Sequence, residues 1–188
     1  MRAALLLGAL GVMSTGCGSS GSGNEGFAAP APTNASAGPL PQPSVIASIS
    51  SGSLGDECTS CESNMQIAFD ARTSTGMKAA TIEVVSVTLL ESATGNLVDT
   101  LAVSNARVWN GGAYVPWDRS VKPGGDLKAS YDLTAPVWSK IDGSEAGRYG
   151  SAPSYSKSFK LRVTLRVDGL EMILESTDLD RQSPAPPT

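Results

Sequence analysis

The 188-residue chain contains no histidine. That removes the most frequent general base, the most frequent zinc ligand and any Ser-His-Asp triad together. Aromatic residues make up 5% of the chain and charged residues 17%. There is no basic excess: 14 Lys and Arg stand against 18 Asp and Glu, for a net charge of -4 and a pI near 4.8. Such a chain offers no cationic stripe to neutralise phosphates, so nucleic acid is not an expected partner. No long apolar run occurs either. Ala3 to Val12 is the clearest, and about ten residues fall short of the ~20 a spanning helix needs. The turn formers, by contrast, are plentiful, with 20 Gly and 12 Pro. Low charge and many turn formers suit an all-β extracytoplasmic protein.

The N-terminus reads as a secretion signal. Arg2 supplies the positive start, the apolar run follows, and Ser14-Thr15-Gly16-Cys17 closes it. This closing segment resembles the lipobox of bacterial lipoproteins, in which a small residue precedes the cysteine. Ser14 departs from that pattern, which prefers leucine three places before the cysteine. The resemblance implies cleavage after residue 16 and acylation of Cys17. Acyl chains contribute about 0.8 kcal/mol per buried methylene, so three would hold the protein firmly on a membrane. Gly18 is not the Asp that marks inner-membrane retention in some bacteria. The expected location is therefore the cell envelope, outer membrane rather than inner, with the domain outside the cytoplasm.

Residues 17–43 read as the acylated cysteine and a disordered linker, Gly/Ser-rich and then Ala/Pro-rich, with Glu25 its only charge. Such a stretch cannot bury enough apolar surface to offset its chain entropy. Its span would be roughly 30 Å. Residues 44–182 carry the strand pattern, and 183–188 form a Pro-rich tail.

The clearest element of that pattern runs from Ser158 to Leu179. Phe159, Leu161, Val163, Leu165 and Val167 alternate with polar residues, which is the period of a half-buried strand. Asp168-Gly169 is the favoured pair for a two-residue type I′ turn. That turn sets Val167 opposite Leu170, Leu165 opposite Met172 and Val163 opposite Leu174, with Arg166 facing Glu171 and Arg162 facing Glu175. Upstream, Val45–Ile49, Met65–Ala71, Thr81–Leu90, Leu97–Val103, Ala106–Trp109, Ala113–Trp117 and Leu127–Leu133 read as further strands. A slip of alternation at Val84-Val85 predicts either a bulge or a strand buried on both faces. Eight or nine short strands with turn signals between them predict an all-β fold, a two-sheet antiparallel β-sandwich. The segment Val121 to Leu133, a Pro-Gly-Gly corner leading into a strand with Tyr131, resembles immunoglobulin-like and fibronectin-III-like domains. The resemblance implies that type of sandwich with Tyr131 in its core.

Chemistry-bearing residues are few. Cys58-Thr59-Ser60-Cys61 lacks the histidine of a haem site, and with Cys17 acylated no third thiolate exists for zinc. Asp56, Glu57 and Glu62 surround the pair with negative charge, which disfavours a redox thiolate. A small-loop disulfide between Cys58 and Cys61 is the expected state in an oxidising compartment. Cys58, Cys61 and Met65 are also the ligand types that suit Cu(I). The three acids read as a solvated loop rather than a calcium site. Ser154 and Lys157 have the spacing of a Ser-x-x-Lys nucleophile, but on a loop and without companion motifs.

Eight of the ten aromatics lie between Trp109 and Phe159. Trp109 and Tyr131, on strands, are expected in the core. Trp117, Trp138 and Tyr149 sit beside turns or within the long segment Pro136–Lys157, and are the expected contact surface. The function expected from all this is a lipid-anchored envelope protein with a binding or structural sandwich module. No catalytic residues, metal or cofactor are assigned. The membrane is its expected partner through the anchor, with an envelope protein or a glycan as the second. The alternatives are a copper- or thiol-handling module using Cys58, Cys61 and Met65, and a polysaccharide-acting enzyme with an unrecognised carboxylate pair.

Overall fold

The structure is a computed structural model, described for residues 44–56, 62–73, 78–146, 148 and 150–182. Strands β1 (Ile46–Ser53), β2 (Ser63–Asp70), β8 (Asp126–Leu133), β5 (Val103–Trp109) and β6 (Tyr114–Pro116) form one antiparallel sheet, in that spatial order. The second sheet has the order β10 (Leu170–Glu175), β9 (Ser158–Val167), β3 (Ala80–Glu91), β4 (Leu97–Leu101). Two short strands complete it: β7 (Ser120–Val121) on β3, and β11 (Leu179–Asp180) on β9. With β1, β2, β8 and β5 as A, B, E and D, and β3, β9 and β10 as C, F and G, this is the immunoglobulin-type order. The predicted all-β sandwich is what the chain forms.

The β9–β10 hairpin has the register set by its turn, with Val167 opposite Leu170, Arg166 opposite Glu171 and Arg162 opposite Glu175. Asp168 and Gly169 both take positive φ, 48° and 85°, as a type I′ turn requires. The Asp168 carboxylate does a second task. It accepts the Thr81 amide and the Ser44 hydroxyl, both at 2.9 Å, and so fixes the start of β3 and the entry of the domain. Arg166 pairs with Glu83 of β3 as well as with Glu171, which ties three strands together on the outer face. The slip in β3 is a bulge between Val84 and Ser86 that turns Val85 to solvent and returns Val87 and Leu89 to the core.

Apolar side chains from both sheets meet in one core, including Met65, Ile67 and Phe69 of β2 and Phe159, Leu161, Val163 and Leu165 of β9. Tyr131 is there too, as expected, and burial pushes its phenol well above the ordinary range. A second bulge, in β5, decides where the aromatics go. Ser104 pairs with Asp132 and Arg107 with Ser130, so two residues, Asn105 and Ala106, oppose Tyr131 alone. Asn105 takes φ 48° and donates its amide to Asp132 at 2.9 Å. Plain alternation from the inward-packed Val103 would have pointed Arg107 and Trp109 into the core. The extra residue reverses the parity: Val108 packs inward, and Arg107 and Trp109 face out.

A β-branched residue resists the left-handed conformation by about 1–2 kcal/mol, whereas glycine and asparagine accept it. Asn105→Val is therefore expected to lower the melting midpoint more than Asn105→Gly. Equal midpoints for the two variants, measured by thermal denaturation, would show that the bulge places no demand on this residue.

Candidate functional site

The long connection between β8 and β9 is anchored by Trp138, Asp142, Ala152 and Ser154, which are buried. Its short α-helix, α1 (Ser139–Asp142), follows Trp138, which is 1% exposed and packs against Phe159 with ring centroids 5.2 Å apart and planes at 59°. The Trp138 indole N–H donates to the Gly55 carbonyl at 2.9 Å. Asp142 and Ser154, from the two ends of the same connection, are buried together. The Ser154 amide and hydroxyl donate to the Asp142 carboxylate at 2.8 and 2.9 Å.

Arg181, just after β11, completes the cluster. Its guanidinium pairs with Asp142 at 2.7 Å and with Asp56, and all three side chains are buried. It lies between two rings, with its central carbon 4.8 Å from the Trp138 ring and 4.2 Å from the Tyr155 ring. Tyr155 donates its hydroxyl to Asp56 at 2.8 Å. The cluster thus fastens three separated segments: the end of β1, the long connection and the C-terminal strand. The carboxylates of Asp56 and Asp142, the Ser154 hydroxyl and the terminal guanidinium nitrogens of Arg181 are bonded to one another, an arrangement that holds structure.

This geometry corrects several expectations. Asp56 is not part of a solvated acidic loop; it is buried against Arg181. Ser154 is sealed in the cluster and Lys157 pairs with Glu91 at 2.7 Å, so the Ser-x-x-Lys spacing builds no nucleophile. Trp138 and Trp117, expected on a contact surface, are 1% and 8% exposed. Trp117 packs at 5.3 Å on Phe69 and donates its indole N–H to the Ser120 carbonyl. Met65 points from β2 into the core, which removes it from the loop where a copper ligand would be needed. Cys17, Cys58, Cys61, Glu57 and Tyr149 lie outside the described residues. Among the described residues no cluster of three or more acidic, thiol or imidazole groups could hold a metal ion, and no helix is long and apolar enough to cross a membrane.

Burial and its hydrogen bond to Asp56 push the Tyr155 phenol up to about 12. A raised phenol favours the neutral form in the fold. Its contribution to stability is thus complete below the ordinary tyrosine value, near 10, and is lost as pH rises toward 12. In an ultraviolet phenolate titration Tyr155→Phe is expected to remove a component near pH 12. Loss of a component at the ordinary tyrosine value instead would show that Tyr155 is not held in the cluster.

Among the described residues the exposed aromatics are elsewhere. Trp109 is 57% and Tyr114 48% exposed, facing one another across the β5–β6 hairpin, with ring centroids 5.3 Å apart and planes at 69°. Asn110 shapes the turn between them: its side-chain oxygen accepts the amides of Gly112 and Ala113. The Tyr114 oxygen accepts a hydrogen bond at 3.4 Å from Gln66, which stands three strands away on β2. Strands lie about 4.8 Å apart, so only a ring laid across the sheet can reach that far. The Arg107 guanidinium sits under it at 5.9 Å from the ring centre. Small residues leave the room: Ser130 pairs with both Gln66 and Arg107.

One row crosses the whole outer face. Ser48 pairs with Ala68, Ala68 with Lys128 and Trp109 with Tyr114; one step beyond the Val108–Ala129 pair sets Trp109 beside Lys128. At the β1 end of this row a depression of about 260 Å³ opens between Ile46, Ser48, Ala68 and Lys128, closed by Asp70 and Arg72. The Arg72 side chain hydrogen-bonds Asp70 and holds its carboxyl at about 2, so this pair stays ionised. A separate depression of about 350 Å³ lies between Ser92 and Lys160, where Lys157 and Lys160 pair with Glu91 and Asp178.

The expectation that Trp109, as a strand residue, lies in the core is not met. The overlooked signal was Asn105, a residue type that tolerates positive φ, which carries the bulge inside β5. Comparison with protein-family models finds no match, and comparison with curated proteins finds none.

Proposed function

We propose that this chain is a lipid-anchored cell-envelope protein whose sandwich acts as a non-catalytic binding module, with the outer face of the five-stranded sheet as its binding face. The observation that carries this reading is the Trp109–Tyr114 pair. Two of the three tryptophans are buried, and the third stands with a tyrosine on a sheet face whose other members are mostly serine, amide and paired charge. Exposed aromatic rings on a rigid strand scaffold bring contact area at little entropic cost, because each has two side-chain torsions. The sequence supports the anchor through the lipobox-like segment ending at Cys17, and the linker would carry the domain clear of the membrane.

Retention of the full chain on lipid-stripped envelope material tests the binding face. Trp109→Ala is expected to lose retention while keeping the wild-type melting midpoint; undiminished retention overturns this reading. Cys17→Ser is expected to move the protein from the membrane fraction to the soluble fraction, and unchanged fractionation overturns the anchor.

A further inference from the structure

We infer that the ligand of this face is a neutral polysaccharide, seated along the cross-strand row from the Trp109–Tyr114 rings to the depression beside Ser48. The inference rests on the binding-face reading above and adds the class of ligand.

Three features of the face point there. The first is ring geometry. Tyr114 is half exposed, with the Arg107 guanidinium 5.9 Å from its ring centre and its hydroxyl reaching Gln66, and the Trp109 ring meets it edge-on at 69°. A flat ring presents a negative face, and the C–H groups of a pyranose present a weakly positive apolar one, so the two stack. The second is the floor. Beyond the rings the row runs over Lys128, Ala68 and Ser48, with Gln66 and Ser130 in the adjacent row, so amide, hydroxyl and ammonium groups stand beside short side chains. Sugar hydroxyls both donate and accept, and this set answers both. A stable protein interface needs a contiguous apolar centre of aromatic or aliphatic anchors sealed by a rim. Here the apolar part consists of the two rings, Pro116, Ala68 and the exposed Ile46, scattered among polar side chains.

The third feature is charge. Asp70, Asp126 and Asp132 on this face stand against Arg72, Arg107 and Lys128, three against three. Arg72 is paired with Asp70, and Arg107 with Asp132. A face that balances its own charges offers nothing extra to an acidic polymer and lacks the cationic excess nucleic acid requires. The row spans five strands, about 19 Å at the usual strand spacing, which suits several linked sugars better than a single one.

The test is affinity electrophoresis of the full chain through gels containing a neutral β-glucan, neutral dextran or acidic alginate. It is followed by tryptophan emission in the same polymers. The expected result is retardation by a neutral polymer with a blue shift from the one exposed indole. Trp109→Ala and Tyr114→Ala should each weaken binding at least tenfold, while Tyr114→Phe, which keeps the ring, should lose less. All variants should keep the wild-type melting midpoint. Retardation only by alginate overturns the neutral class. Binding to a neutral polymer that ignores both substitutions overturns the location. No binding to any polymer overturns the inference. If Trp109-dependent retention on envelope material persists in that case, the binding-face reading stands and its ligand belongs to another class. Concentration-dependent dimerisation abolished by Trp109→Ala would assign the face to a second copy and also overturn the inference.

Discussion

Arg181→Ala is expected to be the most damaging single substitution in the domain, at about 3–5 kcal/mol. Breaking a buried ion pair by removing one partner leaves an uncompensated charge in a low-dielectric setting. Here the loss is doubled, because Asp56 and Asp142 both face the same guanidinium and both are buried. The two rings that sandwich it, Trp138 and Tyr155, would also lose their contact. Domains of this size are stable by about 5–15 kcal/mol in total, so roughly a fifth of the margin or more is at stake. Arg181→Lys should restore little, since a point charge cannot pair with two carboxylates while lying flat between two rings. Denaturant titration of both variants measures this. A loss under about 1 kcal/mol for Arg181→Ala would mean the cluster contributes nothing beyond what solvated ions would.

The second large effect separates two tryptophans that sequence reading ranked in the opposite order. Trp138→Ala should cost about 3–5 kcal/mol, the usual range for emptying a large aromatic site in a core. It also leaves the Gly55 carbonyl without its indole donor and opens one side of Arg181. Trp109→Ala, at an exposed site on an edge hairpin, should stay within about 0.5 kcal/mol of wild type. Melting midpoints of the two full-length variants, measured side by side, give the contrast. Similar costs for both would contradict the division between a structural and a binding aromatic set.

The hairpin was legible in the sequence because every local signal agreed. Alternation, Asp168-Gly169 and the facing charges at Arg166 and Glu171 all specify one register. The strand pattern likewise led to the sandwich, and even the irregularity at Val84-Val85 showed as a break in alternation. The β5 bulge was not legible in the same way. The sequence divides at Ser104-Asn105 into two strands, Leu97–Val103 and Ala106–Trp109, whereas the chain runs as one strand from Val103 with a bulge at Asn105, and the parity there decides which face every later side chain occupies. The Arg181 cluster left no local trace either. Its members Asp56, Asp142, Ser154 and Arg181 are spread over 125 residues and meet only because β11 returns beside the end of β1. Lone charged residues in loops read as solvated until tertiary structure brings a partner.

The most direct measurement is acrylamide quenching of the full chain's tryptophan emission, with and without lipid-stripped envelope material. Trp109 should be the accessible indole, so quenching should show one exposed and two protected populations, and Trp109→Phe should abolish the exposed one. Envelope material is expected to protect this population while leaving the buried two unchanged. An exposed population that stays fully quenchable in the presence of bound envelope material would contradict that expectation, because binding would then be occurring away from the Trp109–Tyr114 face.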